Sequence, residues 1–519
     1  MSLYLGLDSS TQGMKAVVID PGHGSIVASA AVNFGQDLPQ YGCPEGVLQN
    51  PDPLVKHALP QMWLAALDLV LERLQAGGTP MHEIRAISGD GQQHGSVYLN
   101  AQATRLLEEL HSGKTLADQL TPAFSRATSP IWMDSSTRAE CQEIAAAVGP
   151  RLQSDTGSPA TERFTGPQIR RFFKTCPAGY ANTDRIHLVS SFLCSVLIGK
   201  QAPIDFGDGA GMNLLNLKTG DWDDAALDAT APGLRAKLPP ARPATETAGG
   251  LHPYFSKYGL MPGIPVILWT GDNPSSLVGV GATEPGIAVI SLGTSDTFFA
   301  AMPAMKTDPA GYGHVFGNPA GGYMSLICFK NGSLARERVK EACGGDWTFF
   351  GETALAQTLP GNGGNRALSY YVPEITPRVL TPGVRRQGAR DFCSGKAPAA
   401  IQIRAVLEGQ FCSMRLLSEW IGPFKTIRVT GGASRNRGMV QLIADIFQAD
   451  VERIAVADSA SLGGAMRAAH AAGKIPLKDL AAKFAASSET LHPTPGLKAA
   501  YNAPLASYSR FLAETLTSQ

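Results

Sequence analysis

The chain contains 519 residues, of which 44% are hydrophobic and 17% are charged. This composition excludes an intrinsically disordered chain, and the length is enough for two large domains or three ordinary ones. The 44 basic side chains balance the 44 acidic ones, so no overall charge would attract nucleic acid or an anionic membrane surface. We therefore expect any anionic ligand to be bound by a local site.

The cysteines and the first residues of the chain bear on its cellular location. The eight cysteines are scattered without a Cys-x-x-Cys pair, and no apolar run reaches eighteen residues. The first residues also lack the basic and apolar regions of a secretory signal. We expect a cytoplasmic protein with neither a membrane nor a nucleic-acid partner.

The first predicted element is a hairpin with a polar turn. Residues 3–7 and 16–19 are apolar, and the turn between them contains Asp8, Ser10 and Thr11. Turn N–H groups and hydroxyls can form an anion-binding concavity, and a carboxylate at a strand end can hold Mg²⁺ through its waters. We predict that Ser10 and Thr11 bind a phosphate and that Asp8 binds the metal ion. An ordinary turn, in which these side chains bond their own backbone, explains the same residues.

A second hairpin of the same kind is predicted far downstream. Residues 287–292 and 297–300 are apolar, and the turn between them contains Gly293, Thr294 and Ser295. Recurrence of the device favours two lobes that each begin with a phosphate-binding hairpin.

Between the hairpins, residues 52–75 have helical periodicity and residues 84–87 predict a buried strand. That strand leads into a glycine-rich loop containing Gln93 and His94, at the kind of strand end that binds small molecules in α/β folds. We expect His94 to donate a hydrogen bond to a polyol. A structural histidine is the alternative reading of this loop.

A proline-rich stretch at residues 232–243 and a Gly-Gly pair soon after it favour a domain boundary near residue 255. Beyond it, residues 265–270 and 426–430 predict strands, and residues 438–448 and 462–472 predict helices. Strands alternating with helices indicate an α/β architecture in both halves, 1–255 and 256–519.

Asp272 follows one of these predicted strands almost directly and precedes Asn273-Pro274. A carboxylate fixed at a strand end can accept a proton from a substrate hydroxyl during phosphoryl transfer. From the tetrapeptide alone, a turn-forming aspartate before proline is an equally good interpretation.

Taken in order, three segments give the chain a family resemblance. Residues 5–13, 290–295 and 429–436 resemble the two phosphate motifs and the adenosine motif of the FGGY carbohydrate kinases, within the superfamily of actin, sugar kinases and chaperones. The resemblance implies two ribonuclease-H-like (actin-like ATPase) lobes around an interdomain cleft. The N-terminal lobe would bind the sugar and carry the first phosphate motif. The C-terminal lobe would carry the other two motifs and a helical tail.

The resemblance also implies roles for individual residues. The further segments that carry this resemblance are 91–96, 132–137, 162–166, 202–205, 270–274, 328–333 and 407–411. Five residues would contact the sugar, with Asp272 among them as the catalytic base: Gln93, His94, Arg163, Asp272 and Asn273. The adenine nucleotide would be lined by Trp347, Gly431, Gly432, Ala433 and Asn436, with its phosphates near Ser10, Thr11, Gly293, Thr294 and Ser295.

The reaction that the resemblance implies is phosphorylation of D-xylulose to D-xylulose 5-phosphate, with ATP and Mg²⁺ as cofactors. Segments 168–170 and 374–377 depart from the common bacterial pattern, which leaves ribulose, a polyol or glycerol as alternative substrates. A non-catalytic, actin-like ATP-binding protein is the more distant alternative. A homodimer is a hypothesis that the sequence leaves open.

Overall fold

The computed structural model describes residues 2–456 and 458–517, so the outermost residues of the two predicted domains, Met1 and Gln519, lie outside the described residues. The chain forms two compact units. Unit 1 contains residues 2–283, 315–324 and 458–485, and unit 2 contains residues 284–314, 325–456 and 486–517.

The longer helices account for most of the helical residues in both units. In chain order they are α1 (Pro60–Ala76), α2 (Arg138–Val148), α3 (Thr165–Thr175), α4 (Val189–Ile198), α5 (Asp272–Gly279), α6 (Ser333–Cys343), α7 (Ala399–Ser418), α8 (Arg437–Phe447), α9 (Ser459–Gly473), α10 (Leu477–Phe484) and α11 (Leu497–Thr517).

Unit 1 is built on a mixed sheet. Its strands are β1 (Leu3–Ser9), β2 (Gly13–Asp20), β3 (Ser25–Asn33), β4 (Ile84–Gly91), β5 (Thr247–Gly250), β6 (Pro265–Ile267) and β7 (Thr270–Gly271). The strand order is β5-β6-β4-β1-β2-β3, and β7 also pairs with β4. The hairpin β1–β2 is antiparallel, whereas β1, β6 and β7 all run parallel to β4. The carboxyl ends of β1, β4 and β7 therefore meet at one edge of the sheet.

Helix α9 belongs to unit 1 although it lies near the end of the sequence. A Cβ on Gly6 of β1 would come 1.9 Å from the Ser461 carbonyl oxygen, and one on Gly463 would come equally close to the Ser275 carbonyl oxygen of α5. Because real side chains never approach so closely, glycine is needed where β1 and α5 pack on α9. These contacts bring a distant segment into the first sheet's core.

Strands of unit 2 repeat the same arrangement. They are β8 (Ile287–Leu292), β9 (Asp296–Met302), β10 (Tyr323–Phe329), β11 (Thr426–Thr430), β12 (Asp450–Ile454) and β13 (Ser487–Leu491). The second sheet begins with the short edge strand His314–Gly317, which is followed in order by β10-β9-β8-β11-β12-β13. The hairpin β8–β9 is antiparallel, and β11 runs parallel to β8. Each unit thus begins with an antiparallel hairpin whose first strand is joined by a later parallel strand, as the recurring turns predicted.

The remaining helices and strands are short. The short helices are Phe34–Asp37, Ala103–Glu108, Leu116–Leu120, Arg151–Thr156, Pro177–Ala181, Phe206–Gly209, Asp224–Thr230, Leu234–Lys237, Ala354–Ala356 and Arg390–Cys393. Paired short strands are His57–Ala58 with Ser129–Pro130, Ser96–Leu99 with Arg185–Leu188, Ile204–Asp205 with Ala241–Arg242, Leu215–Asn216 with Asp221–Trp222, and Arg366–Tyr370 with Gly383–Gln387.

The C-terminal helix α11 packs on α7 and α8 within unit 2. The phenol of Tyr508 donates a hydrogen bond to the Ala405 carbonyl oxygen at 3.3 Å, and that of Tyr501 to the Glu408 carboxylate at 3.2 Å. The amphipathic pattern of the tail therefore reflects packing against the body of unit 2.

The structure divides the chain near residue 283, whereas composition predicted a boundary near residue 255. Strands β6 and β7 lie after that predicted boundary but pair with β4, so they belong to the first sheet. The predicted domain 256–519 also contained α9 and α10, which are part of unit 1. Proline content marks irregular backbone, but sheet pairing determines which unit a strand joins.

Candidate active site

Two aspartates occupy paired positions at the carboxyl ends of β1 and β4. Asp8 is in register with Asp90 on the neighbouring parallel strand, and Thr270 of β7 is in register with Asp90 on its other side. Burial raises the pKa of Asp8 to about 6. Burial and the charge of Asp8 raise the pKa of Asp90 well above its usual range. This sheet edge therefore concentrates carboxyl groups in a desolvated setting.

Asp272 is the first residue of α5, two positions beyond Thr270. Its carboxylate accepts hydrogen bonds from the backbone N–H of Asn273 at 2.8 Å and from the Asn273 side-chain amide at 2.9 Å. Burial, followed by the charge of Asp8, raises the pKa of Asp272 to about 7, although the residue is partly exposed. A carboxylate that is reachable and has a pKa near neutrality suits general-base chemistry.

The loop after β4 supplies the next predicted residues. The Asn273 amide donates to the side-chain oxygen of Gln93 at 2.9 Å, and the Gln93 side-chain nitrogen is buried without a hydrogen-bond partner among the described residues. The His94 ring stacks on Phe164 with centroids 4.3 Å apart. Gln93, His94, Asp272 and Asn273 are thus brought together.

The free nitrogen of the His94 ring is a hydrogen-bond acceptor, whereas the sequence analysis expects a donor. Burial and the nearby Arg163 lower the pKa of His94 to about 3, so the ring is neutral. Its Nδ1 lies 2.9 Å from the Gly211 carbonyl oxygen, which can only accept, so Nδ1 carries the proton. Nε2 is consequently an acceptor for a hydroxyl group. The predicted donation of a hydrogen bond by His94 is wrong for this tautomer.

Buried carboxylates hold this loop in place. His94 has a φ of 69°, a left-handed conformation that few residues other than glycine adopt. Its backbone N–H bonds the carboxylate of Asp208, and Asp208 also accepts from the Ser190 hydroxyl at 2.5 Å. Asp205 accepts from the Thr270 hydroxyl at 2.6 Å. The two aspartates therefore fix the backbone on either side of the candidate site.

Arg163 borders the same group of residues from the segment before α3. Its guanidinium lies 5.8 Å from the centroid of the Phe164 ring, the ring on which His94 stacks. All five residues predicted to bind the sugar are therefore found in unit 1.

The two predicted hydroxyls in the turn between β1 and β2 have different hydrogen-bond partners. Ser10 donates its hydroxyl to the Gly13 carbonyl oxygen at 3.0 Å, within the turn itself. Thr11 accepts a hydrogen bond from the indole N–H of Trp132 at 2.8 Å. Because that indole can only donate, the Thr11 hydroxyl proton remains available to a ligand.

The corresponding turn of unit 2 exposes Thr294 and Ser295. Helix α6 begins against this turn, with the Ser333 N–H donating to the Gly293 carbonyl oxygen at 2.8 Å. The Ser295 hydroxyl lies 3.5 Å from the Lys330 carbonyl oxygen. The exposed hydroxyls are compatible with the predicted phosphate contact.

The predicted adenosine residues also lie in unit 2. Gly431 has a φ of 86°, and a Cβ there would come 2.4 Å from the Leu292 carbonyl oxygen, so its backbone requires glycine. A Cβ on Gly432 would meet nothing within 4 Å. Ala433 follows directly in the short turn that Gly431 begins. The backbone conformation and close packing require glycine at position 431, whereas Gly432 adjoins open space.

Asn436 is hydrogen-bonded to Trp347, another of the predicted nucleotide residues. Its side-chain oxygen caps α8 by accepting from the Met439 N–H at 3.1 Å, and its side-chain amide donates to the Trp347 carbonyl oxygen at 2.8 Å. The Trp347 side chain is 41% exposed and packs edge-on against Phe350. An exposed indole held in place by its backbone is suited to stacking on a base.

The acidic edge of unit 1 has buried carboxylate oxygens that a divalent cation could use. Asp8 has one buried carboxylate oxygen, and Asp90 has two, without a hydrogen-bond partner among the described residues. Within the same residues, no group of three or more His, Cys, Asp or Glu side chains could hold a metal ion. One or two carboxylates completed by water and phosphate oxygens are what Mg²⁺ needs, so the residues fit this ion.

The sequence assigned no role to Asp90, Trp132, Asp205 or Asp208. Asp90 could have been given one, because it follows a predicted strand just as Asp8 does. Segment 132–137 carried the resemblance, but the contacts of Trp132 with Thr11, of Asp205 with Thr270 and of Asp208 with Ser190 join positions that are far apart in the chain.

Comparison with known proteins identifies the family. Residues 3–279 match the N-terminal domain of the FGGY family of carbohydrate kinases, and residues 288–472 match its C-terminal domain. The chain belongs to the FGGY family of carbohydrate kinases. Membership implies that this FGGY kinase uses ATP and a sugar substrate, as the sequence motifs predicted.

Individual relatives cover nearly all of this FGGY kinase. A xylulose kinase from Rattus norvegicus is 42% identical over 97% of the chain and 95% of the rat protein. Xylulose kinase 2 from Arabidopsis thaliana is 42% identical over 90% of the chain and 87% of that protein. The crystal structure of ligand-bound xylulose kinase from Lactobacillus acidophilus superposes with a TM-score of 0.84 at 20% identity, over 100% of this chain and 99% of that one. The expected α/β fold of the family is confirmed.

Proposed function

We propose that this FGGY kinase transfers the γ-phosphoryl group of ATP to the C5 hydroxyl of D-xylulose, giving D-xylulose 5-phosphate. The observation that carries the proposal is the partly exposed Asp272 carboxylate, fixed by Asn273, with its pKa raised to about 7. The choice of sugar is supported by the names of full-length relatives that are 42% identical.

Asp272 is the proposed catalytic base. Phosphoryl transfer passes through a loose transition state, so a base has to orient the attacking hydroxyl and take its proton late. A carboxylate is adequate for that purpose, and positioned proton transfer contributes roughly 10² to 10⁴ in rate. The side chains of Gln93, His94, Arg163 and Asn273 would orient the ketose, with His94 Nε2 accepting from a sugar hydroxyl.

The nucleotide is proposed to contact residues of both hairpin turns. Ser10, Thr11, Gly293, Thr294 and Ser295 would bind the phosphates through hydroxyls and backbone N–H groups. Trp347, Gly431, Gly432, Ala433 and Asn436 would line the adenosine. Asp8 would hold Mg²⁺, which when bound neutralises phosphate charge. On this proposal, the N-terminal domain binds sugar and the C-terminal domain binds adenosine.

An ADP-release assay over a panel of ketoses and polyols tests the proposal. D-xylulose should give the highest kcat/KM, exceeding that for ribulose, glycerol and simple polyols by at least about tenfold, because misplaced hydroxyls leave buried polar groups unpaired. A higher kcat/KM for any other sugar would reassign the substrate. Absence of any sugar-stimulated ADP release would favour a non-catalytic ATP-binding protein.

Location and assembly are part of the same proposal. We infer a cytoplasmic enzyme, supported by the absence of disulfides among the described residues. No helix in the described ranges has both the length and the apolar character to span a bilayer. The homodimer remains a prediction, and size-exclusion chromatography with light scattering would test it by giving either one or two chain masses of 54.7 kDa.

A further inference from the structure

Asp90 is a buried carboxyl group for which the reaction described above has no use. It is completely buried, and neither of its oxygens receives a hydrogen bond from a donor among the described residues. The groups within hydrogen-bonding reach include the Asp8 carboxyl group and the Ser275 hydroxyl. The hydroxyl of the nearby Ser275 donates instead to the Ala460 carbonyl oxygen at 2.8 Å. An isolated buried carboxylate is costly, so such a group is normally paired or bound to a cation.

The surroundings of Asp90 are acidic. It is in register with Asp8 on the neighbouring strand, and the charges of Asp8 and Asp272 both act on it. Paired residues on adjacent parallel strands project to the same face of the sheet, so the carboxyls of Asp8 and Asp90 lie side by side. Asp8 likewise has a buried oxygen without a partner.

The nearby basic groups are engaged elsewhere. Lys15 is in register with Asp8, but its ammonium group binds the Asp458 carboxylate at 2.6 Å. The buried guanidinium of Arg467 donates to the carbonyl oxygens of Gly89 and Leu268. Lys15 and Arg467 are therefore near, but neither donates a hydrogen bond to the unpartnered carboxylate oxygens of Asp8 and Asp90.

We propose that Asp90 and Asp8 together hold the divalent cation, with Asp90 as a second carboxylate ligand at the carboxyl end of β4. This inference rests on the proposed function only in taking the ion to be the Mg²⁺ that accompanies ATP. Two carboxylates with water and phosphate oxygens complete the coordination of a hard cation. The arrangement explains why two carboxyl groups share one desolvated sheet edge.

Direct metal binding tests the assignment without relying on activity. Mn²⁺, which prefers the same oxygen ligands, is titrated into the full-length protein and its free signal is followed by electron paramagnetic resonance. We expect one site in the wild type and an affinity at least about tenfold weaker in Asp8→Asn and in Asp90→Asn. Asp20→Asn is the matched control, because Asp20 is a buried carboxylate at the other end of the same hairpin, and it should bind Mn²⁺ as the wild type does.

Thermal unfolding in the absence of metal establishes that the variants fold. Asp90→Asn removes a buried like charge, so its metal-free midpoint should equal or exceed that of the wild type. At the same Mn²⁺ concentration, the midpoint should rise less in Asp90→Asn than in the wild type.

Two results would overturn the assignment. Wild-type Mn²⁺ affinity in Asp90→Asn would show that Asp90 is a neutral, protonated neighbour of Asp8, since an amide mimics that form. Absence of Mn²⁺ binding by the wild-type protein would exclude a protein-held ion. Failure of the proposed function is distinguishable, because D-xylulose phosphorylation by the wild type is measured separately from Mn²⁺ binding.

Discussion

Opposing effects act on the carboxylate of Asp272. Burial and the charge of Asp8 raise its pKa, whereas the two donors of Asn273 lower it. The net result is a pKa of about 7, so the group exchanges a proton near physiological pH. Neighbouring residues thereby set the chemistry of an ordinary side chain.

Replacing Asp272 by Asn should abolish turnover while preserving sugar binding. The amide keeps the shape of the side chain but cannot take a proton, so we expect kcat to fall by at least about 10²-fold. Steady-state kinetics measure the loss, and calorimetric titration with D-xylulose measures binding. Asp184→Asn, an exposed change in the same unit, is the control. Substantial activity in Asp272→Asn would refute the assigned role.

The pH dependence should report the same group. The value of kcat/KM for D-xylulose should rise with pH and level off above about 7, because only the ionised carboxylate accepts a proton. An acidic limb near pH 4 would contradict this. The folded state also binds this proton more tightly than the unfolded state. The contribution of Asp272 to the free energy of unfolding is therefore greatest below pH 3.8 and declines as the pH rises through about 7.

Replacing His94 by Asn should weaken sugar binding selectively. Asparagine tolerates the left-handed backbone at this position, but it loses the stacked ring and the Nε2 acceptor. We expect KM for D-xylulose to rise about tenfold or more, the effect of leaving a hydroxyl unpaired, with KM for ATP unchanged. Parallel substrate titrations measure both constants. An equal loss for both substrates would mean that the residue only supports the loop.

At the scale of the element, helix starts position both sets of site residues. Asp272 opens α5, and Asn436 caps α8. In each case the side chain at the helix start also bonds a second predicted site residue: the Asp272 carboxylate accepts from the Asn273 side-chain amide, and the Asn436 amide donates to the Trp347 backbone carbonyl oxygen. The elements therefore fix the geometry of side chains that would otherwise be free to rotate.

Two substitutions at Asn436 separate its two roles. Asn436→Ala removes the helix cap and should lower the free energy of unfolding by about 1 kcal/mol. Asn436→Asp keeps the capping oxygen but loses the amide that holds Trp347, so stability should be retained while KM for ATP rises. Thermal unfolding and ATP titrations measure these effects. Unchanged KM values in both variants would remove Asn436 from the nucleotide site.

At the scale of the whole molecule, the balance of basic and acidic residues bears on how anionic ligands are bound. The 44 basic and 44 acidic residues give no net charge, and on the proposed function the anionic ligands are held locally by turns, hydroxyls and a cation. The repeated hairpin arrangement supplies one such turn in each unit.

Ligand affinity should accordingly depend little on salt. Between about 0.01 and 0.1 M salt the Debye length falls from roughly 30 to 10 Å, which removes long-range steering. We expect KM for ATP, measured at constant free Mg²⁺, to change by less than about twofold. A tenfold loss of affinity would instead reveal a local basic surface that attracts the nucleotide.

The sequence by itself determined the α/β class, both hairpins and most of the strands, and it singled out the loop residues that are proposed to bind the sugar. These features depend on local periodicity and on turn residues, which act over a few positions. The tertiary structure alone decided that β6 and β7 join the first sheet, that α9 packs on that sheet within unit 1, that Asp90 lies beside Asp8 and that the His94 ring is neutral with an acceptor at Nε2. Each of these depends on contacts between distant segments, because strand pairing, burial and hydrogen-bond partners come into being only when the chain folds.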